Sequence, residues 1–139
     1  MSLNLKLTLV LLSAAAAGCM TIGVSREEGG FGLIAPTIAH EMIVDNEQVV
    51  ILDFRPEDEY HRPPGHIAGA ISVPLDTIET RLPELIPYSR TTVIVYGSTR
   101  ADSEKGARIL GAAGFRNVVV MQGGLQRWID LGYKTVTSG

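Results

Sequence analysis

Residues 93–110, VIVYGSTRADSEKGARIL, decide the fold. An apolar, β-branched run ends at Tyr96, a short turn covers Gly97–Asp102, and a helical pattern follows. Strand, turn and helix in immediate succession form the unit of an α/β protein, where strand ends and helix N-termini converge on a ligand. The turn is therefore the place to look for chemistry. Its first residue is Gly97, which carries no functional group.

The pattern repeats in both directions. Downstream, Ser103–Ala113 reads as a helix ended by Gly114, Val118–Met121 as a strand, and Leu125–Leu131 as a helix ended by Gly132. Upstream, Val49–Asp53 (VVILD) is a continuous apolar run, as expected of a strand buried on both faces. Ala70–Val73 is a second short strand, stopped by Pro74. Asp76–Leu85 is predicted as a helix capped by Asp76, with Pro83 ending or kinking it. Pro36–Val44 has Pro36 at the first helical position and Ile38, Ala39, Met42 and Ile43 at helical spacing, with Asp45-Asn46 closing it. Alternating short strands and helices predict a parallel sheet with helices on both faces.

A length of 139 residues suggests one domain. The formal charge of −3 argues against a nucleic-acid binder that works by positive charge. Three histidines and one cysteine, without H-x-x-x-H or C-x-x-C spacing, give no expectation of a metal or other cofactor. With Cys19 as the sole cysteine, an intrachain disulfide is impossible and no thiol is available elsewhere.

The N-terminal segment MSLNLKLTLVLLSAAAAGC has one positive charge at Lys6 and an apolar run from Leu7 that passes into small residues up to Gly18. That run is shorter than the roughly 20 apolar residues a membrane span needs, and fits a secretory signal. Ala16, Ala17 and Gly18 before Cys19 resemble the lipobox of bacterial lipoproteins, with alanine where that family usually has leucine. The resemblance implies cleavage before Cys19 and acylation of its thiol, which would hold the chain at a membrane facing the periplasm. Cleavage after Ala17 with soluble export, and an uncleaved anchor, are the alternative readings. Residues 1–18 are thus expected to be a signal peptide and 19–33 a lipidated N-terminus and tether. Within it, Thr21–Gly32 (TIGVSREEGGFG) is polar and glycine-rich and is expected to lie outside the core.

Three motifs together resemble a rhodanese-like domain. VVILDFRPEDEYHRPPGHIAGAISVP (49–74) has the strand, D-x-R, E-Y and G-H-I-x-G-A of its opening. VIVYGSTRADSEKGARILGAAGF (93–115) is similar to the family's catalytic-loop strand, loop and helix, and VVVMQGGLQRWIDLGY (118–133) to its closing G-G-x-x-x-W and G-Y. The resemblance covers about residues 34–136, and the domain is expected at 34–139. It implies a three-layer α/β/α sandwich with a five-stranded parallel sheet ordered 3-2-4-5-1. The ligand crevice would then lie outside Asp53–Arg55 and Gly97–Asp102, with Asp53 and Arg55 on its rim.

In active members, a cysteine at the first loop position takes sulfur from a donor such as thiosulfate and passes it on as a persulfide. Aligned without a gap, that position here is Gly97. The resemblance therefore implies a module without its nucleophile, acting through a protein partner or a small anion; a sulfurtransferase using a thiol supplied in trans is the alternative. Gly97, Ser98, Thr99, Arg100, Ala101 and Asp102 are the candidate anion loop. Helix capping by Asp102, or by Thr99 and Asp102 together, is the competing reading of the same residues. His66 is expected to bond backbone near Gly69, the D-x-R arginine to pair nearby, for instance with Glu59, and His61 and Arg62 to be solvated. Trp128 and Tyr133 are expected to be packing groups.

Overall fold

The computed structural model describes residues 24–26, 30–45 and 48–138. The expected signal segment, Cys19, most of the tether and Asn46 lie outside these residues. A six-stranded sheet runs through the molecule: β1 (Val24–Arg26), β2 (Gly32–Ile34), β3 (Val49–Asp53), β4 (Ile71–Ser72), β5 (Thr92–Tyr96) and β6 (Asn117–Met121). Its order is β1-β2-β6-β5-β3-β4. Pairing is parallel from β2 to β4, and β1 alone is antiparallel, opposing Val24 to Ile34. The five parallel strands, numbered along the chain, lie in the order 1-5-4-2-3, the expected arrangement seen from the other edge.

Successive residues of the strands feed opposite layers, as the two-residue period of a pleated strand requires. Leu52, Val93, Val95, Val118 and Val120 enter one core with Phe54, Ile78, Leu85, Ala107 and Leu110. Ile51, Ile94, Tyr96, Val119 and Met121 enter the other with Ala39, Tyr60, Leu125 and Trp128. The first layer holds α3 (Ile78–Leu85) and α4 (Arg100–Ala112). The second holds α1 (Pro36–Val44), α2 (Glu57–His61) and α5 (Gly124–Asp130). The result is the α/β/α sandwich. Among the described residues no helix is long and apolar enough to cross a membrane.

The sheet begins earlier than the sequence pattern suggests. Phe31 is 2% exposed, and Gly32, placed in the tether above, opens β2 and pairs with Val119. The polar reading of the segment overlooked FGLI, whose short apolar run becomes a parallel strand once β6 offers it an edge. Asp76 is not a cap: it sits inside a 3₁₀ turn (Leu75–Thr77) that leads into α3, and Pro83 lies within that helix.

Gly65 in GHI has φ +85°, and a Cβ there would lie 2.0 Å from the Val136 carbonyl oxygen. The tight approach lets His66 and Val136 exchange backbone hydrogen bonds, each 2.8 Å, which fastens the C-terminal tail. His66 is buried, stacked on Tyr60 at 3.5 Å, with Nδ1 2.8 Å from the Tyr60 carbonyl oxygen. Its backbone partner is therefore in α2 and not near Gly69, because the ring lies flat on the residue that ends that helix's buried face. His61 and Arg62 are exposed. Trp128 donates Nε1–H to the Lys134 carbonyl at 2.9 Å and packs with Tyr133, which stacks on His40 at 4.0 Å.

Candidate functional site

The site is built where β5 gives way to α4. Phe54 N–H donates to the Tyr96 carbonyl at 2.8 Å, so the last peptide before Gly97 is held by the neighbouring β3 end. Thr99 is extended (φ −133°, ψ 164°) and its Oγ1 accepts from the Asp102 N–H at 3.1 Å. This is N-cap geometry, worth about 1 kcal/mol. The helix therefore starts at Arg100 and not at Ser103. Asp102 is not the cap but the third residue of the first turn, where a carboxylate complements the positive end of the helix. Ser103 is buried, and its hydroxyl donates to the Thr99 carbonyl at 2.9 Å.

A cavity of about 210 Å³ opens beside this turn. Gly97, Ser98, Thr99 and Arg100 form one wall, Gln122, Gly123 and Gly124 the other, over an apolar floor of Leu33, Val120 and Met121. A shallower cleft of about 570 Å³ lies on the other side of Ser98 and is bounded by Phe54, Pro56, Asp102 and Lys105. Ala101 is exposed and lines neither hollow.

The charges near the loop are largely paired. Arg100 Nε donates to Glu104 Oε1 at 2.6 Å, and this hydrogen bond holds the Glu104 carboxyl below the usual carboxylate range. Asp102 is half-buried with no cation within ion-pair distance among the described residues.

Asp53 and Arg55 do not form the rim. They are 0% and 6% exposed and bond each other: Nη2 donates to Oδ2 at 2.6 Å and Nε to Oδ1 at 3.0 Å. Nη2 also donates to the Gly65 carbonyl at 2.8 Å. Strand alternation explains the correction: Asp53 and Arg55 turn into the second layer, so Phe54 and Pro56 border the cleft in their place. Burial opposes the charge on Arg55, but the Asp53 hydrogen bonds and charge outweigh it and raise its pKa. Burial, and then the Asp53 charge, push the Tyr96 hydroxyl well above its ordinary value, while Tyr96 Oη accepts from Ile67 N–H at 3.2 Å.

The sequence reading also missed the second wall. The Gly123-Gly124 pair was visible as part of a motif, but nothing local said that it faces Gly97. Both glycines have positive φ, 78° and 59°, and a Cβ on Gly124 would come within 3.6 Å of the Gly97 carbonyl oxygen. A glycine pair that turns a strand end back toward the neighbouring loop was the available signal.

Residues 35–131 match the family described as rhodanese-like domain. The chain belongs to the rhodanese-like family. It is 31% identical over 88 residues to a Bacillus subtilis (strain 168) protein named "Putative sulfur carrier protein YrkF", covering 63% of this chain and 45% of that one. It is 30% identical over 87 residues to the uncharacterized protein YibN of Escherichia coli (strain K12), covering 62% and 59%. The rhodanese-like chain thus spans about half the length of the curated relatives it matches. Among solved structures it resembles thiosulfate sulfurtransferase from Pseudomonas aeruginosa, with TM-score 0.64 and 34% identity over 73% of this chain and 19% of that one. A rhodanese-related protein from Thermoplasma volcanium matches with TM-score 0.65 and 26% identity, over 76% and 97%.

Proposed function

We propose that this rhodanese-like module binds a ligand at the Gly97 cavity without turning it over. The observation that carries the reading is Gly97, the first residue after β5, at the position where the resemblance puts the family's nucleophilic cysteine. The chain's one cysteine, Cys19, precedes the matched domain. Sulfur relay requires a thiolate to form and break the persulfide bond, and the hydroxyls of Ser98, Thr99 and Ser103 do not substitute for it. The test is thiocyanate formation from thiosulfate and cyanide by the full chain. No rate above the protein-free control is expected; turnover overturns the reading.

The likeness to a protein named as a sulfur carrier and to a thiosulfate sulfurtransferase supports a second reading, sulfurtransfer, which in this chain would need a thiol that a partner inserts beside Gly97. Added glutathione or a thiol-bearing partner protein would then accelerate sulfane transfer beyond the rate of the free thiol alone. Proximity is what the resident cysteine would otherwise supply.

The same proposal places the module in a bacterial cell envelope, lipid-anchored at Cys19, facing the periplasm and meeting an envelope protein there. It is supported by the lipobox-like AAGC sequence at 16–19. A fatty-acid analogue should label the wild type and spare Cys19→Ser; label on both would refute the anchor.

A further inference from the structure

The cleft on the far side of Ser98 differs from the Gly97 cavity in size and in charge. Its volume of about 570 Å³, against about 210 Å³ for the cavity, has room for more than one side chain. Pro56, Pro74 and Leu75 give it apolar walls over the Phe54 ring. Three carboxylates border these walls against one ammonium: Glu57 opens α2, Asp76 sits in the turn before α3, and Asp102 faces Lys105 along the first turns of α4.

The carboxylates are barely neutralised by the chain itself. Glu57 lies 3.9 Å from the exposed His61, and Asp76, Asp102 and Lys105 enter no ion pair among the described residues. Nor do they converge on one point: among the described residues no group of three His, Cys, Asp or Glu side chains could hold a metal ion. Charge spread around a cleft in this way matches an extended cationic partner better than a single ion. The backbone of the walls is already satisfied. Pro56 and Pro74 have no N–H, Leu75 N–H donates to the Phe54 carbonyl at 3.0 Å, and Thr77 N–H and Oγ1 both donate to the Pro74 carbonyl at 2.8 Å. Recognition therefore falls to side chains, through apolar contact and charge.

We propose that this cleft docks a lysine- or arginine-bearing segment of a partner protein. The aliphatic stem of such a side chain covers Pro56, Pro74 and Leu75 while its cationic head stays with the rim carboxylates and water. Rim charges of this kind set partner choice and approach more than tight affinity, and salt weakens them. The inference goes beyond the ligand reading of the Gly97 cavity and does not need that cavity to be filled. Ser98 borders both hollows, so the docked segment lies beside the cavity mouth.

The probe is a capped six-residue peptide with two lysines and two leucines, titrated into the full chain while the Thr77, Ser98 and Asp102 amide resonances are followed. Saturable shifts are expected at all three, with a Kd of about 1 mM at low salt. Raising the salt from about 20 to about 300 mM should weaken binding at least threefold. A counterpart peptide with glutamate in place of lysine should cause no saturable shift. Asp76→Asn/Asp102→Asn should weaken the lysine peptide about fivefold, and Lys105→Gln should tighten it about twofold, a gain that misfolding would not produce. Asp130→Asn makes the same kind of charge change at the end of α5 and should leave binding unmoved. No saturation by about 10 mM, salt-independent affinity, or an equal response to the glutamate peptide overturns the proposal. Unchanged affinity in the double variant or in Lys105→Gln, or an equal loss in Asp130→Asn, overturns it as well. So does an equal response to magnesium chloride, which would make the cleft a site for cations in general, or movement of the same resonances on diluting the chain alone, which would make it a contact between copies. None of these readouts involves sulfane transfer, so failure here and failure of the inactive reading are separable.

Discussion

Replacing Arg55 by methionine tests which interaction holds the layers together behind the loop. The substitution keeps the length of the side chain and removes its charge. Asp53, 0% exposed, would lose the 2.6 Å and 3.0 Å bonds from the guanidinium and keep the 2.9 Å bond from the Arg55 backbone N–H. The Gly65 carbonyl would lose its 2.8 Å donor. Stripping one partner from a buried ion pair costs about 3–5 kcal/mol, because the remaining charge stays desolvated. For a domain of this size the corresponding fall in Tm is roughly 15–30 °C. Since such domains are stable by about 5–15 kcal/mol, the variant should still fold at low temperature. Urea unfolding followed by far-UV circular dichroism measures the loss. The double variant Asp53→Asn/Arg55→Met supplies the control: without the orphaned charge it should lose less than the sum of the two single variants, by about 2 kcal/mol. A cost for Arg55→Met below about 1 kcal/mol, or strict additivity, would show that the pair is not the fastening described here.

Above pH 10, stability should fall, because Tyr96 and Tyr60 have raised pKa values when folded and the unfolded chain releases those protons first. Urea midpoints between pH 8 and 11 would show the decline, and Tyr96→Phe should flatten it; an equal slope in the variant would refute the assignment. Thr99→Ala should cost about 1 kcal/mol through loss of the N-cap, measured the same way, with Thr99→Ser restoring most of it. Gly106→Ala, although it gains about 1 kcal/mol of helix propensity, should be net destabilising by about 1–2 kcal/mol. Its Cβ would lie 2.3 Å from the Phe54 ring. Phe54→Leu in the same chain should relieve part of that loss, and a stabilised Gly106→Ala would contradict the packing.

The strands were legible because burial on both faces leaves little latitude. VVILD and TVIVY admit few alternatives, and both lie in the sheet within a residue of where their composition puts them. The Pro36–Val44 helix was likewise plain from Pro36 and its apolar spacing. What failed was local competition between polar residues for a cap. Thr99 and Asp102 are both good N-caps, and the sequence does not say which one adopts extended backbone. The choice moved the helix start by a full turn and turned Asp102 from cap into first-turn carboxylate. GLI failed for the opposite reason: three residues become a strand only when β1 and β6 are there to pair with them, and pairing is not a local property. The wall opposite Gly97 was also hidden, since adjacency across the sheet follows from topology and not from spacing.

These observations separate what folds this chain from what it does. The residues that fix the loop are Phe54, through the Tyr96 carbonyl, Thr99, through the helix end, and the Asp53–Arg55 pair beneath. None of them requires a side chain at position 97, where the contacts of an added Cβ are close but not prohibitive at 3.3 Å. A rhodanese-like scaffold can therefore carry glycine there with its sheet, layers and cavity in place, so the presence of the fold is no argument for sulfur transfer. Charge points the same way. A loop kept for anionic sulfur chemistry gains from an undiminished helix dipole, whereas this one holds a carboxylate in the first turn of that helix. Gly97 and Asp102 are separate features of one short turn: the first brings no thiol, and the second brings a carboxylate side chain whose Cβ lies 3.3 Å from a Cβ built at position 97.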